Sequence, residues 1–255
     1  MSVIAVTGAS GFIGQSLLIN LKDHGHTAIG IFRCDAKPPH RAAGDINSMT
    51  DWSQSLCGVE VVIHCAARAH VMHERAPDPL TLYRAVNVEG SRRLAEQAAS
   101  NGVRRLIFLS SVKAVGERST AGCKLQVIDT PKPQDAYGLS KLEAEHALLE
   151  VGTRTGLEIV IVRSPLVYGP GVKGNFLRLL RHVHRGLPLP LGAIDNARSM
   201  VYMGNLLDFL CTCIDPSKAA GKTFFVADGE TLSTTALIQK LAKLMNCPAR
   251  LVDVP

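Results

Sequence analysis

The chain has 255 residues, 46% of them hydrophobic, and a formal charge of +6. This length suits one α/β domain, or one domain with a small lobe, and the apolar content is sufficient for a large core. No apolar run reaches the length of a membrane span and no secretory signal precedes the first strand, so we expect a cytoplasmic protein. The seven cysteines are odd in number and scattered, which is typical of reduced thiols. The modest charge favours a small anionic ligand over nucleic acid.

The first informative segment comprises residues 3–14, with the sequence VIAVTGASGFIG. Its apolar start predicts a buried strand, and apolar residues at helical spacing behind it predict a helix. Between the two lie Gly8, Gly11 and Gly14, where a Cβ would obstruct a tight turn and the approach of a phosphate. A strand, a glycine turn and a helix in this order predict a phosphate-binding loop, because backbone N–H groups and the helix N-terminus face the anion.

Strand and helix patterns alternate over the first two thirds of the chain, which predicts a parallel sheet with right-handed crossovers. After residue 164, proline and glycine become frequent, which indicates a loop-rich lobe. The strands predicted after the first comprise residues 27–32, 59–64, 103–109, 158–162 and 223–227. The helices predicted after the first comprise residues 49–56, 81–101, 137–155, 175–185 and 206–214, and a last one that Ser233 caps and that ends near residue 245.

The second informative segment, YGLSK at residues 137–141, places a tyrosine and a lysine four residues apart on one helix face. A phenol has a pKa of about 10 and is a poor base at neutral pH, but a nearby ammonium favours the phenolate. We therefore expect Lys141 to lower the pKa of Tyr137. The fourth strand ends in Ser110 and Ser111, whose hydroxyls can reach the same substrate oxygen. The pattern predicts an acid/base site at the carboxyl edge of the sheet.

Eight motifs spread over nearly the whole chain point to one family: TGASGFIG, the GDI aspartate, HCAARAH, the asparagine of AVNVEG, LSSVKAVGE, YGLSK, RSPLVYGPG and RSMVYMGNL. Together they resemble the extended short-chain dehydrogenases/reductases of the NAD-dependent epimerase/dehydratase family. Within it, the chain looks closest to nucleotide-sugar 4-epimerases and 4-ketoreductases of O-antigen and other bacterial surface-polysaccharide biosynthesis. The resemblance implies an α/β fold, a Rossmann-type doubly wound parallel sheet with a small discontinuous C-terminal substrate lobe.

The resemblance also implies a domain division. It assigns residues 1–166 plus about 200–227 to an NAD(P)-binding Rossmann domain, and about 167–199 plus 228–255 to the substrate-binding lobe. Family members are usually longer, so we expect the lobe to be truncated at its C-terminus. Dimers built on the two long helices are common in the family, and we expect a homodimer.

Roles follow for individual residues. Tyr137 would be the acid/base at the sugar 4-hydroxyl, Lys141 would bond the nicotinamide ribose, and Ser111 would be the catalytic serine. The implied cofactor contacts are Gly8, Gly11, Phe12, Ile13, Gly14, Arg33, Asp45, Ile46, Ala66, Ala67, Arg68, Asn87, Tyr137, Lys141, Ser164 and Val167. The implied substrate contacts are Ser111, Asn175 and Arg198, with Arg198 neutralising the diphosphate. No histidine or cysteine has partners at metal-ligand spacing, so no metal site is expected.

Departures from the family pattern narrow the reaction. Related 4,6-dehydratases carry an acidic pair directly after the catalytic hydroxyl residue, where this chain has Val112 and Lys113. Dehydration is therefore not expected, and oxidation and reduction at one carbon remain. A 4-epimerase and a 4-ketoreductase share this machinery, and both stay open here. The substrate expected is a nucleotide sugar, UDP-linked and of the N-acetylhexosamine type.

The end of the second strand bears on the cofactor. NAD-preferring relatives place an aspartate there, whereas this chain has Phe32 followed by Arg33. An arginine favours a 2′-phosphate, so NADP(H) is favoured and NAD(H) is possible. Two other functions remain as alternatives. One is a short-chain reductase of a non-nucleotide ketone or alcohol, and the other is a non-catalytic dinucleotide-binding protein.

Overall fold

The computed structural model describes residues 1–69, 77–119, 123–215 and 217–253. His70, the last residue of the HCAARAH motif, lies outside these residues. The described chain forms two compact units. Unit 1 comprises Met1–Ser164 and Leu206–Val226, and unit 2 comprises Pro165–Asn205 and Ala227–Pro255. Within the described residues, no helix is long and apolar enough to cross a membrane.

The strands, in chain order, are β1 (Val3–Thr7), β2 (Thr27–Phe32), β3 (Arg41–Ala42), β4 (Val61–His64), β5 (Arg105–Ser111), β6 (Glu158–Ser164), β7 (Leu166–Tyr168), β8 (Arg198–Tyr202), β9 (Thr223–Phe225) and β10 (Thr231–Leu232). Unit 1 contains seven of them in the order β3-β2-β1-β4-β5-β6-β9, and every neighbouring pair is parallel. The predicted doubly wound parallel sheet is confirmed. The strand order reverses beside β1, which is where open α/β sheets bind their ligands.

The helices are α1 (Phe12–Asp23), α2 (Pro79–Tyr83), α3 (Gly90–Ser100), α4 (Ala136–Thr155), α5 (Gly174–His184), α6 (Met203–Thr212) and α7 (Thr234–Leu244). The strand and helix signals of the sequence locate most of these within a few residues. The helix α4 ends at Gly156, whose φ of 80° is a left-handed C-cap that glycine adopts without strain. The buried core of unit 1 is built on strands that are apolar on both faces, such as the solvent-excluded Val61–Ile63.

Two helix predictions were wrong in detail. Residues 49–56 form turns rather than a helix. Side chains of Asn47 and Asp51 accept hydrogen bonds from the backbone N–H groups of residues 49 and 53, which offers the backbone an alternative to a helix. The predicted helix 81–101 comprises α2, a π-helical segment (Arg84–Glu89) and α3. The π-helical segment carries the buried Asn87, and such segments are frequent at functional sites.

Unit 2 contains a three-stranded sheet in the order β10-β8-β7. The pairing of β8 is parallel with β7 and antiparallel with β10. Apolar side chains of α5 and α7, led by Phe176 and Leu237, pack with Met200 of β8. As predicted, Ser233 caps the last helix, because its hydroxyl accepts a hydrogen bond from the N–H of Ala236 at 3.0 Å.

Candidate active site

The glycine loop lies between β1 and α1, as the motif predicts. Gly8 has a φ of 67°, and a Cβ on it would lie 2.8 Å from the backbone nitrogen of Ala66. A Cβ on Gly14 would run into the carbonyl oxygen of Gly8. Gly11 is the N-cap of α1 and has no side chain to occupy the helix N-terminus. The loop therefore leaves the first N–H groups of α1, those of Phe12 and Ile13 included, available to an anion.

The segment after β4 packs against this loop and is held by a buried hydrogen-bond chain. The N–H of Ala66 donates to Thr7 Oγ1 at 3.2 Å, and Thr7 Oγ1 lies 2.6 Å from His64 Nδ1. His64 Nε2 lies 2.8 Å from Ser91 Oγ on α3. Burial lowers the pKa of His64 to about 3, so the imidazole stays neutral and can accept at one nitrogen while it donates at the other. This chain fixes the backbone of residues 66–68 beside the glycine loop.

Asn87 connects that segment to the catalytic helix. Its side-chain oxygen accepts the N–H of Arg68 at 2.8 Å, and its Nδ2 donates to the Arg68 carbonyl and to Ser140 Oγ at 3.1 and 3.0 Å. Ser140 in turn donates to the Tyr137 carbonyl at 2.8 Å. Asn87 is buried and all three of its bonds lie within unit 1. The geometry gives it the supporting role that its place in the long helix implies, whereas direct contact with the cofactor remains a prediction.

Ser111 and Tyr137 lie together. Ser111 ends β5 and Tyr137 lies in the first turn of α4, and the Ser111 hydroxyl is close enough to the phenol to lower its pKa. The N-cap of α4 is Asp135, whose carboxylate accepts the N–H of Gly138 at 2.6 Å. A Cβ on Gly138 would lie 2.5 Å from the carbonyl oxygen of Lys113, so glycine allows α4 to begin directly against the segment that follows Ser111. The cap and this close contact position the tyrosine hydroxyl opposite the serine.

Lys141 lies one turn further along α4 and is solvent-excluded. Its Nζ donates to the carbonyl of Leu109 at 2.7 Å and lies 4.0 Å from the centre of the Phe108 ring. Burial lowers the pKa of Lys141 to about 7, against an opposing effect of the Glu145 carboxylate. The protonation of the Lys141 amine is therefore sensitive to its neighbours near neutral pH.

The expectation that Lys141 lowers the pKa of Tyr137 was wrong for this structure. Burial raises the pKa of Tyr137 to about 12, and the hydrogen bond with Ser111 only partly offsets that effect. The physical reason is that desolvation disfavours the phenolate, while the Lys141 amine points to the Leu109 carbonyl. Two tyrosine rings also meet here, because Tyr83 and Tyr137 pack edge to face with centres 6.1 Å apart.

The residues predicted for the adenosine end lie at the end of β2. Arg33 follows this strand, and its Nε lies 3.0 Å from a carboxylate oxygen of Asp45 in an exposed ion pair. Ile46 is partly buried against the core of unit 1, where a Cβ on Gly90 would run into its side chain. Ser164 ends β6, and its hydroxyl donates to the Ser110 carbonyl at 3.4 Å.

The remaining predicted residues belong to unit 2. Val167 lies in β7 beside Val201 of β8. Asn175 lies in the first turn of α5, and Arg198 begins β8; both are exposed. Their contacts with a substrate remain predictions. Among the described residues, no group of three or more histidine, cysteine or acidic side chains could hold a metal ion.

Sequence reasoning missed two residues beneath the site. Glu145 and Arg163 are buried and form an ion pair with a shortest N–O distance of 2.6 Å. The sequence contains a signal for them, because each is a charged residue within a run of residues predicted to be buried. Charged residues are rarely buried unless they are paired.

Comparison with known proteins decides the family. The profile of the "NAD dependent epimerase/dehydratase family" matches residues 4–227. The chain belongs to this family. It is an enzyme of the extended short-chain dehydrogenase/reductase type, as the motifs indicate. The UDP-glucose 4-epimerase of Vibrio cholerae is 44% identical over 257 residues, which cover 99% of this chain and 78% of that protein.

Two further members of the epimerase/dehydratase family are informative. The N-acetyl-alpha-D-glucosaminyl-diphospho-ditrans,octacis-undecaprenol 4-epimerase of Escherichia coli O157:H7 is 29% identical, over 95% of this chain and 72% of that protein. The crystal structure of UDP-glucuronic acid 4-epimerase from Bacillus cereus, in complex with UDP-glucuronic acid and NAD, superposes with a TM-score of 0.83. That structure is 25% identical, and the match covers 98% of this chain and 85% of that one.

The residues of this family member fit a bound dinucleotide. The space at Gly8 and Gly14 is one that a Cβ would fill, and the N-terminus of α1 supplies donors for a pyrophosphate. Residues 66–68 are fixed against the same loop by Thr7, His64 and Asn87. At the carboxyl edge of the sheet lie the hydroxyls of Ser111 and Tyr137 and the amine of Lys141, whose roles in catalysis remain predictions.

Proposed function

We propose that the enzyme transfers a hydride at the 4-position of a UDP-linked sugar, as a UDP-hexose 4-epimerase or a UDP-N-acetylhexosamine-type 4-ketoreductase. The observation that carries the proposal is the placement of Ser111 at the end of β5 and Tyr137 at the start of α4, one turn from the buried Lys141, together with the glycine loop between β1 and α1. The 44% identity to a UDP-glucose 4-epimerase over nearly the whole chain supports the sugar class.

The proposed chemistry uses the phenol of Tyr137 and the hydroxyl of Ser111. When bound, the dinucleotide accepts or donates the hydride. In the oxidative direction the Tyr137 phenolate takes the proton of the 4-hydroxyl as the C4–H bond breaks, which leaves a 4-keto sugar. In the reductive direction the Tyr137 phenol donates its proton to the keto oxygen as C4 receives the hydride. Ser111 donates a hydrogen bond to the same oxygen and fixes its position.

Lys141 supports this transfer through its charge. Burial outweighs any effect of Lys141 on the pKa of Tyr137, which is about 12 in this structure. We propose that Lys141 acts during turnover in its protonated form, where its positive charge reduces the free-energy cost of forming the phenolate. A neutral Lys141 cannot do this. We therefore expect catalysis to depend on the protonation of Lys141 as well as on that of Tyr137.

The position after the catalytic serine argues against dehydration. Lys113 is occupied by two carboxylates, with its Nζ 2.7 Å from Asp135 and 2.6 Å from Glu117. An ammonium held in this way cannot abstract a proton from the sugar, and Val112 beside it has no polar group. Elimination of water requires an additional acid and base, so the local chemistry favours reversible oxidation at one carbon.

The decisive experiment incubates the purified protein with UDP-glucose and with UDP-N-acetylglucosamine in the presence of NAD⁺ or NADP⁺, and with a UDP-4-keto sugar in the presence of NADH or NADPH. Stoichiometric consumption of reduced cofactor means a 4-ketoreductase, and isomerisation without net consumption means a 4-epimerase. Reduction of a steroid-type ketone but of no UDP sugar would replace the proposal with a non-nucleotide reductase. Dinucleotide binding without turnover of any of these would replace it with a non-catalytic protein.

For the cofactor, we propose that NADP(H) is preferred and NAD(H) is also accepted. The support is that Arg33 follows β2 in place of an acidic residue, and that its exposed partner Asp45 can exchange for a 2′-phosphate. Arg33→Ala should weaken the binding of NADPH about tenfold and that of NADH much less, measured by fluorescence titration. Asp45→Asn is the matched control, because it frees the guanidinium and should strengthen NADPH. Equal losses for both cofactors in Arg33→Ala would contradict the preference.

We also propose a homodimer, as in related enzymes. Multi-angle light scattering on the purified protein tests it, and the mass of a single chain at micromolar concentration would contradict it.

A further inference from the structure

A buried network lies directly beneath the proposed catalytic residues. The Glu145 carboxylate accepts a hydrogen bond from Ser110 Oγ at 2.5 Å. It also accepts bonds from Arg163 Nη2 at 2.6 Å and from Arg163 Nε at 3.1 and 3.2 Å. All three side chains are buried, with Glu145 only 1% exposed. The network joins α4, β5 and β6 at the carboxyl edge of the sheet.

Each end of this network is adjacent to a residue of the proposed mechanism. Ser110 directly precedes Ser111 in β5. Lys141 lies one turn before Glu145 on the same face of α4 and donates to the carbonyl of Leu109, which directly precedes Ser110. A displacement of Glu145 would therefore move both the serine and the lysine relative to Tyr137.

The charges around Lys141 single out Glu145. From β4 and the residue after it, Lys141 meets His64 and Cys65, and burial keeps both neutral because it lowers the pKa of His64 to about 3 and raises that of Cys65 to about 12. From β5 it meets the Phe108 ring and the Leu109 carbonyl, which carry no net charge.

The remaining neighbours are Tyr137 one turn earlier on α4 and Glu145 one turn later, with Arg163 of β6 paired to the carboxylate. Tyr137 is neutral at pH 7, because burial raises its pKa to about 12. Glu145 is therefore the negative charge that faces the lysine, and it is the largest influence that opposes the effect of burial.

We propose that Glu145 is a positioning residue of the active site, which keeps Lys141 protonated and, through Ser110, holds Ser111 opposite Tyr137. Arg163 compensates the carboxylate, so that its burial is tolerated in the folded chain. The proposal rests on the function proposed above for Lys141 and Ser111, because the charge of Lys141 affects turnover only if Lys141 has that role. In addition, the Glu145 carboxylate adjusts the charge of Lys141 near neutral pH.

The experiment replaces Glu145 by Gln, which keeps the shape and the hydrogen bond from Ser110 but removes the charge. The Lys141 amine is titrated by heteronuclear NMR of the lysine ε-methylene groups, with the Lys141→Arg variant to assign its signal. We expect the pKa of Lys141 to fall by about 1 pH unit or more in Glu145→Gln, since a carboxylate one helical turn away on the same face of α4 favours the ammonium. The alkaline limb of the kcat/KM profile should move to lower pH by the same amount.

Two further variants keep the test decisive. Glu145→Gln combined with Arg163→Met removes both charges, so it folds even where the single variant leaves Arg163 without a counter-charge. It should lower the pKa of Lys141 less than the single variant does. Glu158→Gln is the matched control, because it removes a carboxylate from the other arginine–glutamate pair of β5 and β6. It should leave both the pKa of Lys141 and the alkaline limb unchanged.

The outcomes separate this proposal from the proposed function. If Lys141 titrates alike in wild type and both Glu145 variants, or if Glu158→Gln moves it equally, the role of Glu145 is refuted even in an active enzyme. If the wild type converts no UDP sugar but the NMR pKa still falls in Glu145→Gln, the sugar assignment fails and the control of Lys141 by Glu145 stands.

Discussion

An arginine–glutamate pair lies at each end of the adjacent strands β5 and β6, and the two pairs differ in their surroundings. The pair at the amino end joins the two strands, whereas the pair at the carboxyl end joins β6 to α4. At the amino end, Arg105 is solvent-excluded and its Nε and Nη2 bond Glu158 at 2.8 and 2.6 Å. Its Nη1 donates to the carbonyls of Cys213 and Ile214, both at 2.7 Å. Every guanidinium nitrogen has a partner, and the pair fastens the segment after α6 to the sheet.

At the carboxyl end, Arg163 pairs with Glu145, but its Nη1 has no hydrogen-bond partner among the residues described. The carboxylate also serves Ser110 and faces Lys141. At the amino end all the guanidinium nitrogens are hydrogen-bonded, and the pair stabilises the fold. At the carboxyl end one guanidinium nitrogen is unpaired within the described chain, and the carboxylate also contacts residues next to the proposed catalytic groups. Parallel sheets place functional groups at this edge, because all the strands and their following loops meet there.

The largest expected effect is at the carboxyl end. Tyr137→Phe should reduce turnover about 100- to 10,000-fold, because the hydroxyl is needed for proton transfer. Cofactor affinity should change little. Steady-state kinetics with the best UDP sugar and a dinucleotide titration measure the two quantities.

The control for this variant is Tyr83→Phe, which removes the same group from the ring that packs against Tyr137. Its turnover should remain within a few-fold of wild type. An unimpaired Tyr137→Phe enzyme would exclude the tyrosine as the acid/base.

At the amino end, Arg105→Met should affect stability rather than turnover. It leaves the buried Cys213 carbonyl without its donor and Glu158 without its partner, while the Ile214 carbonyl keeps only the bond from Arg104, for a loss of about 3 kcal/mol in the free energy of unfolding. Urea denaturation measures the loss, and kcat per folded molecule should match that of wild type. A catalytic defect larger than the stability loss would remove the contrast between the two ends.

The free energy of unfolding is expected to depend on pH through His64, which lies at the carboxyl end of β4. The pKa of His64 is about 3 in the folded chain and about 6.5 when unfolded, so between these values the unfolded chain binds the additional proton. The free energy of unfolding should therefore fall as the pH falls below 6.5, by about 2 kcal/mol between pH 6.5 and 5. Denaturation at several pH values, compared with His64→Asn, isolates this effect. An identical pH slope in both proteins would contradict it.

The smallest loss of stability is expected on substitution of Arg104, which lies next to Arg105. Its Nη2 lies 2.9 Å from Asp215, but these side chains are 38% and 68% exposed. Such a pair is solvent-screened, so Arg104→Ala should cost about 0.5 kcal/mol of stability. Thermal denaturation measures it. A loss equal to that of Arg105→Met would mean that burial does not distinguish the two neighbours.

Much of the fold could be predicted from the sequence because it is set by local patterns. The strand at Thr27–Phe32 has the predicted bounds, since its apolar run is flanked by polar residues and a turn. The helix α4 begins one residue before Tyr137 and ends at Gly156, where the glycine supplies the left-handed cap. The glycine loop followed from its motif, since its backbone path excludes a Cβ.

Only the tertiary structure decided the rest, because the deciding partners are distant in sequence. The backbone N–H of Trp52 donates to the side-chain oxygen of Gln97 at 2.6 Å, and this long-range bond helps to replace the helix predicted for residues 49–56. The pKa values of Tyr137 and Lys141 depend first on burial, which the Ser111 hydroxyl opposes for the tyrosine and the Glu145 carboxylate opposes for the lysine. The sequence determined which groups stand at the edge of the sheet, and the packing of three separate elements decided their charges.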